Sequence, residues 1–393
     1  METREKLRIG VIFGGRSGEH EVSLMSARSV LGALDPEKYA VTQIGITHDG
    51  EWLVGDSTLE AMLSRDKTQG WGALTPAALL PDPTRQTLYA IQESAEEVRT
   101  EAGSDHVSRS HDSRLEPLTG LDVVFPVLHG TFGEDGALQG LLEMSGMAYV
   151  GAGVLGSALG MDKGVFKDIL RAHHIPVIES IVVLRSEIEK DMGSVLGMAE
   201  GLAGYPLFVK PANLGSSVGI TKCTSRSDLM EGLLEAARYD RRVLVERGVN
   251  GREIEVSILG NEDPQASIPG EILPSREFYS YEAKYLDDSS GLLIPAPLSA
   301  ELTAQVQALA IQAYRAIDCA GMARVDFLLD KDTQELYLSE VNTIPGFTEI
   351  SMYPKLWEAS GLPYPALLDR LIELALARKA ERDCTVRRYR RDD

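Results

Sequence analysis

Apolar residues fall along this chain in short blocks cut by glycine, proline and charge, and the rhythm inside the blocks changes partway along. LRIGVIFGG, at residues 7–15, reads as a buried strand ending in glycines. Leu24, Ala27, Leu31 and Leu34 then recur at helical spacing. YAVTQIGIT, GEWLV, LDVVFPVLHG and MAYVGAG read as further strands, and EDGALQGLLEMSG as a helix with a glycine cap. Strands alternating with helices over residues 7–151 predict an open parallel α/β sheet. Beyond it, IESIVVL, YPLFVKP, VGITKC and RVLVERGV are strands with helices between them, followed by EIEVSILG and QASIPGEIL. A helix near Ala300–Ile317 precedes GMARVDFLLD and QELYLSEVN, whose spacing is that of an antiparallel hairpin.

The expected division is an N-terminal α/β unit over 1–151, a central unit over 152–249 and a C-terminal unit over 250–393. Between Glu93 and Gly120 polar and charged residues dominate, which predicts a mobile surface insertion. Its His106 and His111 read as solvated side chains, with a metal site as the other reading.

A length of 393 residues calls for two or three cores, and 44% hydrophobic with 25% charged residues is an ordinary globular balance. Every long apolar segment is interrupted, so no membrane span is expected, and METREKLRIGVIFGG reads as a first strand, not a signal peptide. Cys223, Cys319 and Cys384 form no C-x-x-C pair, which points to a reducing, cytoplasmic setting. A net charge of −20 argues against nucleic acid as the main partner. The exception is the basic tail over 378–393, where Arg387, Arg388, Arg390 and Arg391 read as a basic cluster or as a solvated helix end.

Several stretches carry chemistry. YVGAGVLGSALGMDKGVFK holds Gly151, Gly153 and Gly156 in the G-x-G-x-x-G spacing of a dinucleotide fold. In VKPANLGSSVGI, Lys210 ends a strand and a loop with Gly215, Ser216, Ser217 and Gly219 follows, able to bring N–H groups to phosphate. In RVDFLLDKDTQELYLSEVN, Glu340 and Asn342 share one strand face, and a hairpin lets Asp326 and Arg324 join it. Two carboxylates and an amide oxygen are hard donors suited to Mg²⁺. In NTIPGFTEISMYP the chain turns at Gly346, whose N–H could assist Arg324 at an oxyanion. FGGRSGEHEVS places Glu19, and LHGTFGEDGALQG places His129, at strand ends where ligands bind in open α/β sheets.

As an ordered set, GG-x-S-x-E-x-EVS, LHG…GEDG-x-LQG, MDK, VKP…GSSVGI, YEAKY and R-x-D…E-x-N-T-x-PG closely resemble the ATP-grasp enzymes, and within them the D-alanine–D-alanine ligases, over about residues 7–376. The resemblance implies a three-domain fold in which two antiparallel sheets sandwich ATP. It implies that Lys163 and Lys210 contact the phosphates, with Ser217 in the ATP-binding loop, and that Glu246 lies at the adenine and Glu253 near the ribose. Lys284 would sit in a covering loop, and Asp326, Glu340 and Asn342 would hold two Mg²⁺ or Mn²⁺ ions. It further implies that Glu19 binds the first alanine's ammonium and is linked through Ser216 and Tyr285, with His129 nearby. Arg324 and the Gly346 N–H would form the oxyanion site, and Ser351 with the Met352 amide would hold the second carboxylate. A homodimer, and D-alanyl-D-alanine synthesis for peptidoglycan, are implied on the same ground.

Ile344 stands where relatives often carry a small polar residue. Three other readings compete. A sister ligase would join D-alanine to D-lactate, although Tyr285 resembles the dipeptide-forming type. A redox enzyme would use the glycine fingerprint, but Glu19 in the first strand's own turn would repel a pyrophosphate. The glycines then serve an interdomain turn, with Lys163 the functional residue. A non-catalytic ATP-binding protein would be expected to lose the acidic triad.

Overall fold

The structure is a computed structural model that describes residues 5–64, 71–96, 110–215, 218–273, 291–348 and 350–386. The first part of the chain forms β1 (Leu7–Gly14), α1 (His20–Ala33), β2 (Tyr39–Ile46), β3 (Trp52–Val54), α2 (Thr58–Leu63), β4 (Thr75–Leu79), β5 (Thr87–Glu96), β6 (Ser110–Gly120), β7 (Val123–Pro126), α3 (Ala137–Met144) and β8 (Ala148–Tyr149). Its eight strands lie in the order β6-β5-β4-β3-β2-β1-β7-β8.

Only half of this sheet is parallel. β2, β1, β7 and β8 run together, whereas β3 to β6 pair antiparallel. The links from β2 to β3 and from β4 to β5 are too short for a parallel crossover. The polar stretch also departs from expectation. Strand β6 pairs with β5 from Thr87↔Gly120 to Glu96↔Ser110, so residues 110–120 are an edge strand, not a surface loop. Backbone pairing needs no apolar face, and polar side chains are the usual guard of an exposed edge. Residues 97–109, with His106, lie outside the described residues.

The central part comprises α4 (Val154–Met161), α5 (Lys163–Ala172), β9 (Ser180–Leu184), α6 (Arg185–Lys190), α7 (Met192–Leu202), β10 (Leu207–Pro211), β11 (Thr221–Cys223), α8 (Arg226–Tyr239) and β12 (Arg242–Arg247). Its sheet, β11-β10-β12-β9, is antiparallel throughout. Asp162 starts α5 by accepting from the Gly164 and Val165 amides, and Ser225 caps α8 through the Asp228 amide.

The last part contains β13 (Gly251–Leu259), β14 (Gln265–Ala266), β15 (Gly270–Leu273), β16 (Gly291–Leu293), α9 (Ala300–Ala316), β17 (Met322–Asp330), β18 (Leu336–Asn342), α10 (Met352–Ala359) and α11 (Tyr364–Asp383). Antiparallel strands run β16-β15-β13-β17-β18, with β14 beside β13. The β17–β18 register shifts between Asp326 and Phe327, a bulge at the turn of the acidic face.

Helix α11 leaves the unit to which its sequence position assigned it. Leu367, Leu368, Leu371 and Ile372 share a core with Ile9, Val11, Phe13, Val123 and Phe125 of the first sheet. Part of the basic tail is therefore docked. Arg378 donates to the carbonyls of Tyr149 and Gly151, and Arg382 donates to that of Met147 at 3.1 Å. The cluster from Arg387 onward lies outside the described residues.

The fingerprint glycines answer to packing. Gly151 has φ +97°, and a Cβ on Gly156 would lie 3.0 Å from the Asp318 oxygen and the Cys319 Cα. A Cβ on Gly153 would meet nothing closer than 4.0 Å, so no close approach requires a glycine there. Among the described residues, no helix is long and apolar enough to cross a membrane.

Candidate active site

A cleft of about 1410 Å³ opens between the central and C-terminal sheets and reaches the strand ends of the first. Glu19, His129, Lys163, Lys210, Glu246, Glu253, Arg324, Asp326, Glu340, Asn342, Gly346, Ser351 and Met352 all line it. Ser216, Ser217, Lys284 and Tyr285 lie outside the described residues.

One wall carries lysines. Lys210 projects from β10 and pairs with Glu246 of β12, while Lys167, on α5, reaches the other Glu246 oxygen at 2.6 Å. Burial alone would raise the Glu246 carboxyl, but the two lysines outweigh it and hold it down at about 2. Each oxygen of its carboxylate thus pairs with one lysine. Lys163, at the start of α5, donates to the Leu214 carbonyl at 2.7 Å and lies 3.8 Å from Glu340.

The facing wall is the β17–β18 hairpin. Asp326 stands opposite Glu340, and Arg324 opposite Asn342. Arg324 grips Asp326 through two hydrogen bonds of 2.8 and 2.7 Å and lies 3.1 Å from Glu255. Asn342 Nδ2 donates to Asp326 at 2.9 Å, which leaves its amide oxygen as the donor for a cation. With Glu253, Glu255 and Glu340 on the same wall, acids outnumber the bases, and the donor set is oxygen only. Such a set fits Mg²⁺ or Mn²⁺ and suits soft metals poorly.

Where the hairpin leaves the sheet, residues 343–348 turn beneath the cleft. Both sides of this turn are tied to one imidazole. His129 Nδ1 donates to the Ile344 carbonyl at 3.0 Å. Its Nε2 accepts from the Ser26 hydroxyl at 3.0 Å, and the same hydroxyl accepts the Phe347 amide at 3.2 Å. The carbonyl partner requires hydrogen on Nδ1. Burial pushes the imidazole down to about 4, which keeps this neutral form. Glu134 adds a further tether, accepting from the Gly130 amide at 2.7 Å and the Ile344 amide at 3.1 Å. Burial and the neighbouring Glu19 carboxylate push its carboxyl up to about 8.

A Cβ on Gly346 would fall 2.7 Å from Ser351 Oγ, so a side chain there would displace the Ser351 hydroxyl. Ser351 precedes the first turn of α10, and its hydroxyl accepts the Thr348 amide at 3.0 Å. The helix N-terminus with Met352 faces the cleft, a setting that favours a carboxylate. Glu19 is 7% exposed, and a Cβ on Gly130 or Gly215 would lie 2.4 or 2.8 Å from its Oε2. The Gly215 loop of the central unit therefore closes directly on a carboxylate of the first.

Sequence reasoning missed Ser26, Glu134, Lys167 and Glu255. Lys167 is one helical turn beyond Lys163, and Glu134 stands inside the quoted GEDG motif, so both had a local signal. Ser26 had none, since its partners lie far along the chain.

Two antiparallel sheets closing on a lysine-walled, acid-floored cleft define an ATP-grasp fold. Residues 8–152 match the family described as D-ala D-ala ligase N-terminus, and residues 169–373 match D-ala D-ala ligase C-terminus. A D-alanine–D-alanine ligase of Natranaerobius thermophilus is 48% identical over 379 residues, 96% of this chain and 97% of that protein. One of Thermoanaerobacter sp. is 51% identical, covering 95% and 97%. The solved D-alanine-D-alanine ligase of Coxiella burnetii superposes with a TM-score of 0.79 at 38% identity, covering 97% of each chain. VanG D-Ala:D-Ser ligase of Enterococcus faecalis also gives 0.79, at 34% identity, covering 94% of this chain and 100% of that one. The chain belongs to the D-alanine–D-alanine ligase family.

Proposed function

We propose that the protein joins two D-alanines to D-alanyl-D-alanine with ATP as the energy source, forming ADP and phosphate, for peptidoglycan precursor synthesis. The observation that carries this is convergence. Glu19, Lys163, Lys210, Arg324, Asp326, Glu340, Gly346 and Ser351, contributed by all three units, line one cleft.

A carboxylate is a poor electrophile because the leaving group would be oxide. The γ-phosphoryl group of ATP therefore passes first to one D-alanine carboxylate, giving an acyl phosphate and ADP. Lys163 and Lys210 balance phosphate charge, while Ser217 and Lys284 cover the nucleotide and Glu246 and Glu253 lie at its adenine and ribose. Asp326, Glu340 and Asn342 would hold two Mg²⁺ or Mn²⁺ ions, which neutralise phosphate oxygens when bound. Glu19, joined to Ser216 and Tyr285, binds the first ammonium, and Ser351 with the Met352 amide binds the second carboxylate. The second amine attacks the acyl carbon. Arg324 and the Gly346 N–H then hold the tetrahedral oxyanion until phosphate leaves. Water must be excluded meanwhile, or the acyl phosphate is hydrolysed. His129 acts from behind, fixing the turn that bears Gly346. Action in the cytoplasm as a homodimer completes the proposal.

The test is ADP release from purified protein with ATP and Mg²⁺, given D-alanine, L-alanine, or D-alanine with D-lactate or D-serine, and products identified by mass. D-alanine-dependent release with the dipeptide formed is expected. Ester as the main product would move the protein to the D-lactate class. Full activity in both Glu340→Ala and Arg324→Ala would sink the site assignment.

A further inference from the structure

Lys167 lies outside the cleft lining, yet its side chain is only 2% exposed and ends on a cleft residue. A buried lysine carries a heavy desolvation cost, so a specific counter-charge must hold it. That counter-charge is Glu246, also 2% exposed, whose Oε1 lies 2.6 Å from Lys167 Nζ. The other oxygen of the same carboxylate pairs with Lys210, the residue that faces the cleft. The register explains the contact. Phe208 stands opposite Glu246 and Lys210 opposite Leu244, so Lys210 is two places along on the same sheet face. Lys167 approaches that face from α5, one helical turn beyond Lys163.

The charges in this triad matter as a sum. A Lys210–Glu246 pair alone is neutral and offers little to an anion. With Lys167 behind it the group carries one net positive charge, and Lys210 is its most exposed member, at 18% against 2% for each of the other two. Two further side chains face the same space, Glu253 and Glu340, and both would weaken an anion site further. Together with Lys163, the third charge therefore helps keep this wall attractive to phosphate.

We propose that Lys167 is a positioning residue for the nucleotide phosphates: it neutralises Glu246 from behind and thereby leaves the charge of Lys210 available to them. This rests on the ATP reading above. Lys167 touches no nucleotide atom, and its effect passes through Glu246 and Lys210.

The test is calorimetric binding of ADP and of adenosine, with Mg²⁺ and no amino acid, to full-length protein and its variants. Lys167→Met should weaken ADP by on the order of tenfold or more and leave adenosine within about twofold, because only the phosphates sense the lost charge. Lys167→Arg should restore ADP affinity. The double variant Lys167→Met/Glu246→Gln should recover much of the ratio of ADP to adenosine affinity, since Lys210 then stands alone with its unit charge and any change Glu246→Gln makes at the adenine is common to both ligands. A merely structural lysine would lower ADP and adenosine affinity together. The one charge the double variant leaves without its partner, Lys210, opens to the cleft, so this variant decides the matter even if Lys167→Met fails to fold. Equal losses for ADP and adenosine, unchanged ADP affinity in Lys167→Met, or no recovery in the double variant would each overturn the inference. Failure of the unsubstituted protein to bind ADP would instead remove the nucleotide reading on which it rests.

Discussion

Replacing Ser26 by alanine deletes a single oxygen that serves two elements at once. The hydroxyl is fully buried, donates to His129 Nε2 at 3.0 Å and accepts the Phe347 amide at 3.2 Å. In the variant the amide loses its acceptor and the imidazole its donor, with almost no apolar area changed. A buried polar group left without a partner costs about 1–3 kcal/mol, so two place the effect at about 2–6 kcal/mol. Part of this will fall on the local order of the turn, because Ile344 keeps its bonds to His129 Nδ1 and Glu134 while the Phe347 amide loses its acceptor. Hydrogen exchange read on the peptide containing Phe347 should therefore speed up by about 30-fold, the equivalent of about 2 kcal/mol. ADP release should lose about 10- to 100-fold in kcat, below the full loss of an oxyanion donor, with KM for ATP within about twofold. Exchange at Phe347 and kcat both within twofold of the unsubstituted protein would refute the clamp.

Other consequences can be checked together. The unfolded imidazole of His129 titrates near 6.5 and the folded one is depressed to about 4. The unfolded chain thus gains the proton first, so stability falls as pH drops from about 6.5 to about 4, by about 3 kcal/mol in all. A denaturant titration series should show this loss, and His129→Gln should flatten it. Gly156→Val should cost about 2 kcal/mol or more through its clash with Asp318 and Cys319, whereas Gly153→Ala should leave melting temperature and ADP formation nearly unchanged. A dinucleotide site would reverse the second result. Chelation with EDTA should abolish ADP release, and Mg²⁺ or Mn²⁺ should restore it; activity surviving chelation would remove the metal role of Asp326, Glu340 and Asn342.

How much of this could be read along the chain depended on distance. Wherever the partners sit on one strand or one hairpin, the pattern was legible. Arg324 and Asp326, or Glu340 and Asn342, are two apart, and strand geometry alone puts each pair on one face. The turn at Asp330 then sets the two pairs opposite each other, the Asp330 side chain accepting the Asp332 and Thr333 amides. The polar run before Gly120 misled because composition reports burial, while an edge strand is held by backbone hydrogen bonds.

The periodic elements, the hairpin that gathers the acidic face, and the glycine turns are all written locally in the chain. Each follows from steric and hydrogen-bonding rules that act over a few residues. Which apolar stripe meets which is set on folding, by packing across the whole chain. The stripe of α11 would bury equally well on its own unit, and nothing local names the first sheet as its partner. The same holds for buried polar groups. Glu134 meets Ile344 210 positions away and Ser26 meets Phe347 321 away, and the need to satisfy a buried N–H specifies a partner's chemistry without its address.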